Sequence, residues 1–242
     1  MRLSSLFLGL FCLIFTSTVN AQSDNDPMDL SSWIGAEAKC EINKDWSLGL
    51  EAQSRTDLRV GRFDALLLSP SISWKPIKHI ETGLSYRLTS VPYSNATTNR
   101  VEKHRFSADF TFRKIESLLF SKKSRFGISL RLRGTTEHQS EERIENTLRL
   151  KFKLEYNLPK TKLDLFASTE VFYRFQRDLV YTFAEVQSVD ALNKYRVKLG
   201  ASYPLGDQHS IKLFGMHQWR YPDGTNEVVV GLGYSFDFKS KK

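Results

Sequence analysis

Apolar and polar residues alternate with a period of two along most of the chain. Between residues 144 and 156 the even positions are apolar or aromatic except Asn146, and the odd positions are charged apart from Thr147. A helix would scatter these charges around its circumference, whereas a strand separates one apolar face from one polar face. The alternation therefore predicts β-strands with two unlike faces.

The same alternation recurs along the chain and predicts eleven strands. They span about residues 32–42, 46–57, 63–75, 78–90, 100–113, 124–137, 143–156, 162–175, 190–203, 208–220 and 226–238. Many exceed the roughly ten residues that cross a bilayer at a tilt near 45°, whereas strands of soluble sheets average about five or six. We therefore expect an all-β fold, a single antiparallel transmembrane up-and-down β-barrel over residues 32–238.

The number of strands follows from a further rule. Single-chain bacterial barrels normally have an even number of strands, so we expect ten to twelve and favour twelve. The alternative is that residues 22–31 pass through the lumen. A soluble secreted barrel that binds a ligand is the third interpretation of the alternation.

The first residues have the pattern of an export signal. Arg2 precedes the apolar run 6–15, and the small residue Ala21 ends a short polar stretch, as in secretory signal peptides. We expect residues 1–21 to be cleaved after Ala21, residues 22–31 to form an N-terminal segment, and residues 239–242 to form a basic tail. The expected location is the cell outer membrane.

Composition excludes several classes of function. Cleavage leaves one cysteine, Cys40, which cannot form an internal disulfide, and the five histidines are too scattered for a zinc site. The net charge of +8 is spread along the chain, and an exported protein rarely meets nucleic acid. We expect no metal, no cofactor and no nucleic-acid partner.

The polar faces carry many charges that would project into the lumen. Such basic rows can line an anion path, or they can close a narrow barrel by pairing with carboxylates. The basic residues are Arg87, Arg105, Arg113, Arg131, Arg133, Arg149, Lys151, Arg174, Lys194, Arg196 and Lys198, and the acidic ones are Glu37, Glu51, Glu81, Asp109, Glu145, Glu155 and Glu170.

One pair of residues has the spacing of a catalytic site. His138 and Ser140 would point the same way along a strand, so that the histidine could act as base for a serine nucleophile. Outer-membrane phospholipases and lipid A deacylases look similar here. The surrounding charges also fit an ordinary solvated loop, and we expect no enzymatic activity as the first hypothesis.

Six short segments together carry a resemblance to a known family. They are Trp33–Gly35, Trp46–Arg55, Tyr86–Arg87, His104–Phe106, Asn193–Arg196 and Gly233–Phe236. With these segments the chain resembles the outer-membrane barrel family called domain of unknown function 2490. The resemblance implies the fold and the location, and it implies no catalytic residues.

We therefore expect a monomeric outer-membrane barrel that acts as a structural or binding element or as a narrow pore with a basic lumen. Its expected partners are outer-membrane lipids, the barrel-assembly machinery during insertion and small anionic solutes. The alternative is a membrane-embedded lipid hydrolase that uses His138 and Ser140.

Overall fold

The computed structural model describes residues 28–92, 100–119, 124–139, 143–175, 191–221 and 224–238. Residues 1–21 and 239–242, predicted to be signal peptide and tail, lie outside this part of the chain. The strands are β1 Asp29–Glu41, β2 Trp46–Asp57, β3 Arg62–Ile77, β4 Ile80–Pro92, β5 Arg100–Phe112, β6 Phe126–Gln139, β7 Arg143–Asn157, β8 Asp164–Phe175, β9 Ala191–Pro204, β10 His209–Arg220 and β11 Asn226–Phe238.

One short helix, α1 Glu116–Leu119, lies in the connection between β5 and β6. In the ranges that the structure covers, no helix is long and apolar enough to cross a membrane.

The strands form a closed barrel in which each strand pairs antiparallel with its neighbours in sequence. The exception is the seam between β1 and β11, which is parallel and places Trp33 opposite Gly231. The prediction of a single all-β barrel is confirmed. The described strands number eleven, within the predicted range and one below the favoured twelve. The parallel seam follows, because an odd number of strands that pair in sequence order closes only through one parallel pair.

Predicted and observed strand bounds agree closely, because alternation stops where the chain turns. β2 and β11 have the predicted bounds. β1 begins at Asp29, so residues 29–31 belong to the barrel wall rather than to a segment in the lumen. This difference arises because Ser31 and Ser32 give no apolar signal that would extend the strand.

The two ends of the barrel differ. Connections 42–45, 78–79, 113–125, 158–163 and 205–208 lie at one end. We call it the short-turn end, because all of these connections but 113–125 are of two to six residues, and we call the opposite end the long-loop end. Trp46 and Trp74 stack at 5.8 Å between ring centroids near the short turns. Trp219 and Tyr221 stack at 6.4 Å at the long-loop end.

The outer face of the barrel is apolar. Leu84 and Phe106 are each 62% exposed, and Leu150 is 46% exposed. A soluble barrel would instead turn its apolar face inward to form the core. This arrangement therefore presents a hydrophobic wall to the surroundings.

Replacement of Leu150 by Arg should impair insertion into lipid vesicles. An arginine near the bilayer midplane costs about 2–4 kcal/mol, whereas Leu150→Met keeps an apolar side chain of similar volume. The measurement is the fraction of protein that migrates as the folded form on unheated detergent gels. Equal folding of the two variants would contradict the assigned orientation.

Candidate functional site in the barrel lumen

Ion pairs occupy much of the barrel interior. Each arginine predicted to face the lumen pairs with a carboxylate from another strand. The pairs are Arg87–Glu51, Arg105–Glu137, Arg113–Glu81, Arg131–Asp109, Arg131–Glu170, Arg133–Asp109, Arg149–Glu170, Arg174–Glu145 and Arg196–Glu170.

Glu170 is the centre of the largest group. Its carboxylate lies 2.8 Å from Arg149, 3.5 Å from Arg196 and 3.6 Å from Arg131. Glu170 is 6% exposed and Arg149 is 7% exposed. Because removing one partner from a buried ion pair leaves charge uncompensated, this Glu170 cluster joins β6, β7, β8 and β9 from inside.

The network continues on both sides of the cluster. Asp109 accepts two hydrogen bonds from Arg133, at 2.5 and 2.6 Å. On the other side Arg196 donates to Gln218 at 2.7 Å, and Gln218 donates to Glu227 at 2.7 Å. Gln218 is 1% exposed, so its amide serves as a buried bridge between β9 and β11.

Apolar side chains fill the lumen beside these charges. Trp33, Met216 and Val229 form one buried cluster, with Phe214 packed against it. The Arg55 guanidinium lies 4.0 Å from the centre of the Trp33 ring. Arginine over an aromatic face is an attractive contact, so the cluster and the ion pairs form one continuous packed layer.

We call the buried inward-facing residues at this layer the lumenal belt. They come from eight of the eleven strands, and none is more than 8% exposed. The belt consists of Trp33, Leu67, Ser107, Thr135, Arg149, Glu170, Met216 and Val229.

Short and long side chains together close the belt. Ser107 and Thr135 are too short to cross the lumen, and yet both are buried. Long side chains therefore cover them. The wall of the lumen therefore exposes little surface at this level on eight of the eleven described strands.

The lumen below the belt, toward the short-turn end, has two unlike walls. Several inward-facing residues on β2 to β4 are small, among them Gly49, Ser71 and Ser85, whereas β7 and β9 carry lysines. Glu51 is 42% exposed at its side chain, and Glu155 is 47% exposed. This half of the lumen is therefore more accessible than the belt.

Glycine lets an aromatic ring approach the wall in this half. The ring of Phe214 lies where a side chain at position 231 would project, with its Cζ 1.9 Å from an ideal Cβ. Any larger residue than Gly231 would displace the ring. Lys198 places its ammonium group 3.8 Å from the centre of the same ring.

Three lysines differ from the arginines. Within the described residues no carboxylate lies at ion-pair distance from Lys151, Lys194 or Lys198. Lys194 lies 5.5 Å from the Phe172 ring centre. An anion could therefore pair with one of these lysines without displacing a carboxylate.

The candidate catalytic pair is only half described. His138 lies on the outer face of β6, exposed, opposite His104 on β5 and Ile144 on β7. Ser140 lies outside the described residues. No group of His, Cys, Asp and Glu suited to a metal ion occurs in the part of the chain that is described.

Several lumenal residues escaped the sequence analysis. Trp33 was not identified as lumenal, although it lies inside the barrel at 5% exposure. Arg55, Phe172 and Gln218 were not singled out. The period of two already indicated that Trp33 and Arg55 face the lumen, since position 33 shares its face with Glu37 and position 55 shares its face with Glu51.

Replacement of Glu170 by Gln should strongly destabilise the barrel, because three arginines would lose a common counter-charge. Breaking a buried ion pair costs about 3–5 kcal/mol. The control Glu155→Gln removes the exposed partner of Lys153 and should cost less than about 1 kcal/mol. Urea unfolding in detergent measures both. Equal losses would show that the Glu170 cluster is not a structural centre.

The chain is similar to a protein family and, at low identity, to a solved structure. No protein of curated function matches the chain significantly. Among solved structures, the translocator domain of the autotransporter NalP from Neisseria meningitidis is similar at 13% identity and a TM-score of 0.36, covering 78% of this chain and 72% of that chain. The model of the family described as "Protein of unknown function (DUF2490)" matches residues 30–229. Because that match spans most of the sequence, the chain belongs to the DUF2490 family.

Proposed function

We propose that this protein is a monomeric outer-membrane barrel with a closed lumen, a structural or binding element of the membrane rather than a conducting pore. The observation that carries the proposal is the lumenal belt. Side chains from eight strands meet there with at most 8% exposure.

The outer surface supports a membrane location. Large apolar side chains are exposed on the outward face of the strands, and aromatic pairs lie near both ends. Barrels of the outer membrane have this combination of an apolar band and two aromatic girdles. A soluble secreted barrel, the third interpretation, would have to expose the same band to water.

The inner surface supports closure. The eight predicted lumenal arginines would attract anions along a path, but each pairs with a carboxylate, and six carboxylates are shared among them. Small anionic solutes would reach Lys151 and Lys198 from the short-turn end. During insertion the assembly machinery would read the last strand, which ends at Phe238.

Purified protein in planar bilayers should show no conductance steps. Trp33→Ala removes a buried indole from the lumenal belt and should produce steps, whereas Trp46→Ala, on the outer face, should stay silent. Steps from the unmodified protein, with an anion preference that Arg131→Gln and Arg149→Gln together reduce, would instead support the pore.

A lipid hydrolase is the second candidate function. His138 is exposed on the outer face, where ester bonds of membrane lipids would reach it, and this position favours the hypothesis over a lumenal reaction. A histidine of this kind would act as base for Ser140.

The hydrolase predicts deacylation of phospholipid or lipopolysaccharide that Ser140→Ala abolishes. Ser129→Ala is a matched control, because Ser129 faces the lumen on the strand that carries His138. Deacylation that persists in Ser140→Ala would remove Ser140 as nucleophile. Inactivity of the unmodified protein would leave the structural or binding role.

A further inference from the structure

A groove interrupts the apolar outer wall of the barrel. Its volume is about 790 Å³, and Leu84, Phe106, Ala108, Gly134, Leu148 and Phe175 are among the residues that line it. Pockets of roughly 300–1,000 Å³ enclose ligands of moderate size. The groove is therefore large enough to hold a molecule rather than a few atoms.

Small residues create the groove. Leu84, Ala108, Gly134 and Leu148 are direct neighbours across β4, β5, β6 and β7. The two middle positions carry little or no side chain, and no atom lies within 4 Å of the place that a Cβ of Gly134 would take. The side chain of Phe106, which is 62% exposed, projects beside these small residues and forms one side of the groove.

The edge of the groove toward the long-loop end is polar but uncharged. Thr136 donates a hydrogen bond to Oδ1 of Asn146 at 2.9 Å, and both belong to the lining. Tyr86, also in the lining, shares a hydrogen bond of 2.6 Å with Nδ1 of His104. Since Oδ1 of Asn146 accepts from Thr136, the amide nitrogen of Asn146 remains as a donor.

We propose that this groove binds one acyl chain of a glycerophospholipid, with the ester carbonyl accepting a hydrogen bond from Asn146. The proposal rests on the membrane location proposed above. The groove is continuous with the lipid-facing wall, so acyl chains are the molecules that contact it. An uncharged edge suits an ester carbonyl, because phosphate-rich lipids are recognised through arginine and lysine, and neither occurs in the lining.

The proposal is tested by a substitution that fills the groove with a large side chain. Gly134→Trp places an indole on the floor, and Gly215→Trp is the matched control, because Gly215 is also an exposed strand glycine with no atom within 4 Å of an ideal Cβ position. Both variants are reconstituted into vesicles of palmitoyl-oleoyl phosphatidylcholine, extracted into mild detergent and examined by native mass spectrometry. Folded migration on unheated gels verifies that each variant folds.

The unmodified protein and Gly215→Trp should retain bound phosphatidylcholine, and Gly134→Trp should reduce retention by about tenfold or more, the change that 1.4 kcal/mol of lost affinity produces. Asn146→Leu should lower retention without abolishing it, because the apolar floor is unchanged. Equal retention in the two Trp variants, or no retention by the unmodified protein, would overturn the proposal.

Other occupants give distinct results. A dimer that Gly134→Trp dissociates would show that a second copy fills the groove, and displacement of phosphatidylcholine by added lipopolysaccharide would show the wrong lipid class. Either result overturns the proposal. Protein that does not float with the vesicles at all would contradict the membrane location itself, so that failure is separable from the failure of the groove.

Discussion

A bilayer offers no water to the peptide groups at a sheet edge, so a sheet that spans it has to close on itself. In this barrel closure depends on the pairing of β1 with β11, which runs parallel through twelve residue pairs from Asp29 opposite Glu227 to Cys40 opposite Phe238. The difference between the two faces of the sheet follows from that closure. It separates an apolar outer face from an inner face that has to be packed or hydrated.

The inner face is packed by charge as well as by apolar contact. Glu170 pairs with three arginines. Two of them lie over the Phe172 ring, with Arg149 4.5 Å and Arg196 4.8 Å from its centre. Long cationic side chains bring apolar stems and charged heads together, so one layer can combine apolar packing with ion pairs. On the short-turn side of this layer the lumen is more accessible, and unpaired lysines remain there.

The alternation of apolar and polar residues predicted the strands and their two faces. It did not predict which strands pair or which side chains meet. The bounds of β2 and the inward orientation of Arg149 follow from residues next to each other in sequence. The partner of Arg149 depends on the register of β7 against β8, which places Glu170 beside Lys151. The parallel seam was equally hidden, because parallel and antiparallel strands alternate alike. Trp33 was not identified as lumenal, because an aromatic residue near a strand end fits an outer girdle and a lumen equally well.

The central claim is that the closed barrel is embedded in the outer membrane with its apolar face toward lipid. Membrane fractionation with a carbonate wash, followed by detergent gels of unheated and heated samples, tests it most directly. We predict that the protein stays with the outer membrane after the wash and migrates differently before and after heating, since a closed barrel resists unfolding. Release by carbonate together with unchanged migration would contradict the claim.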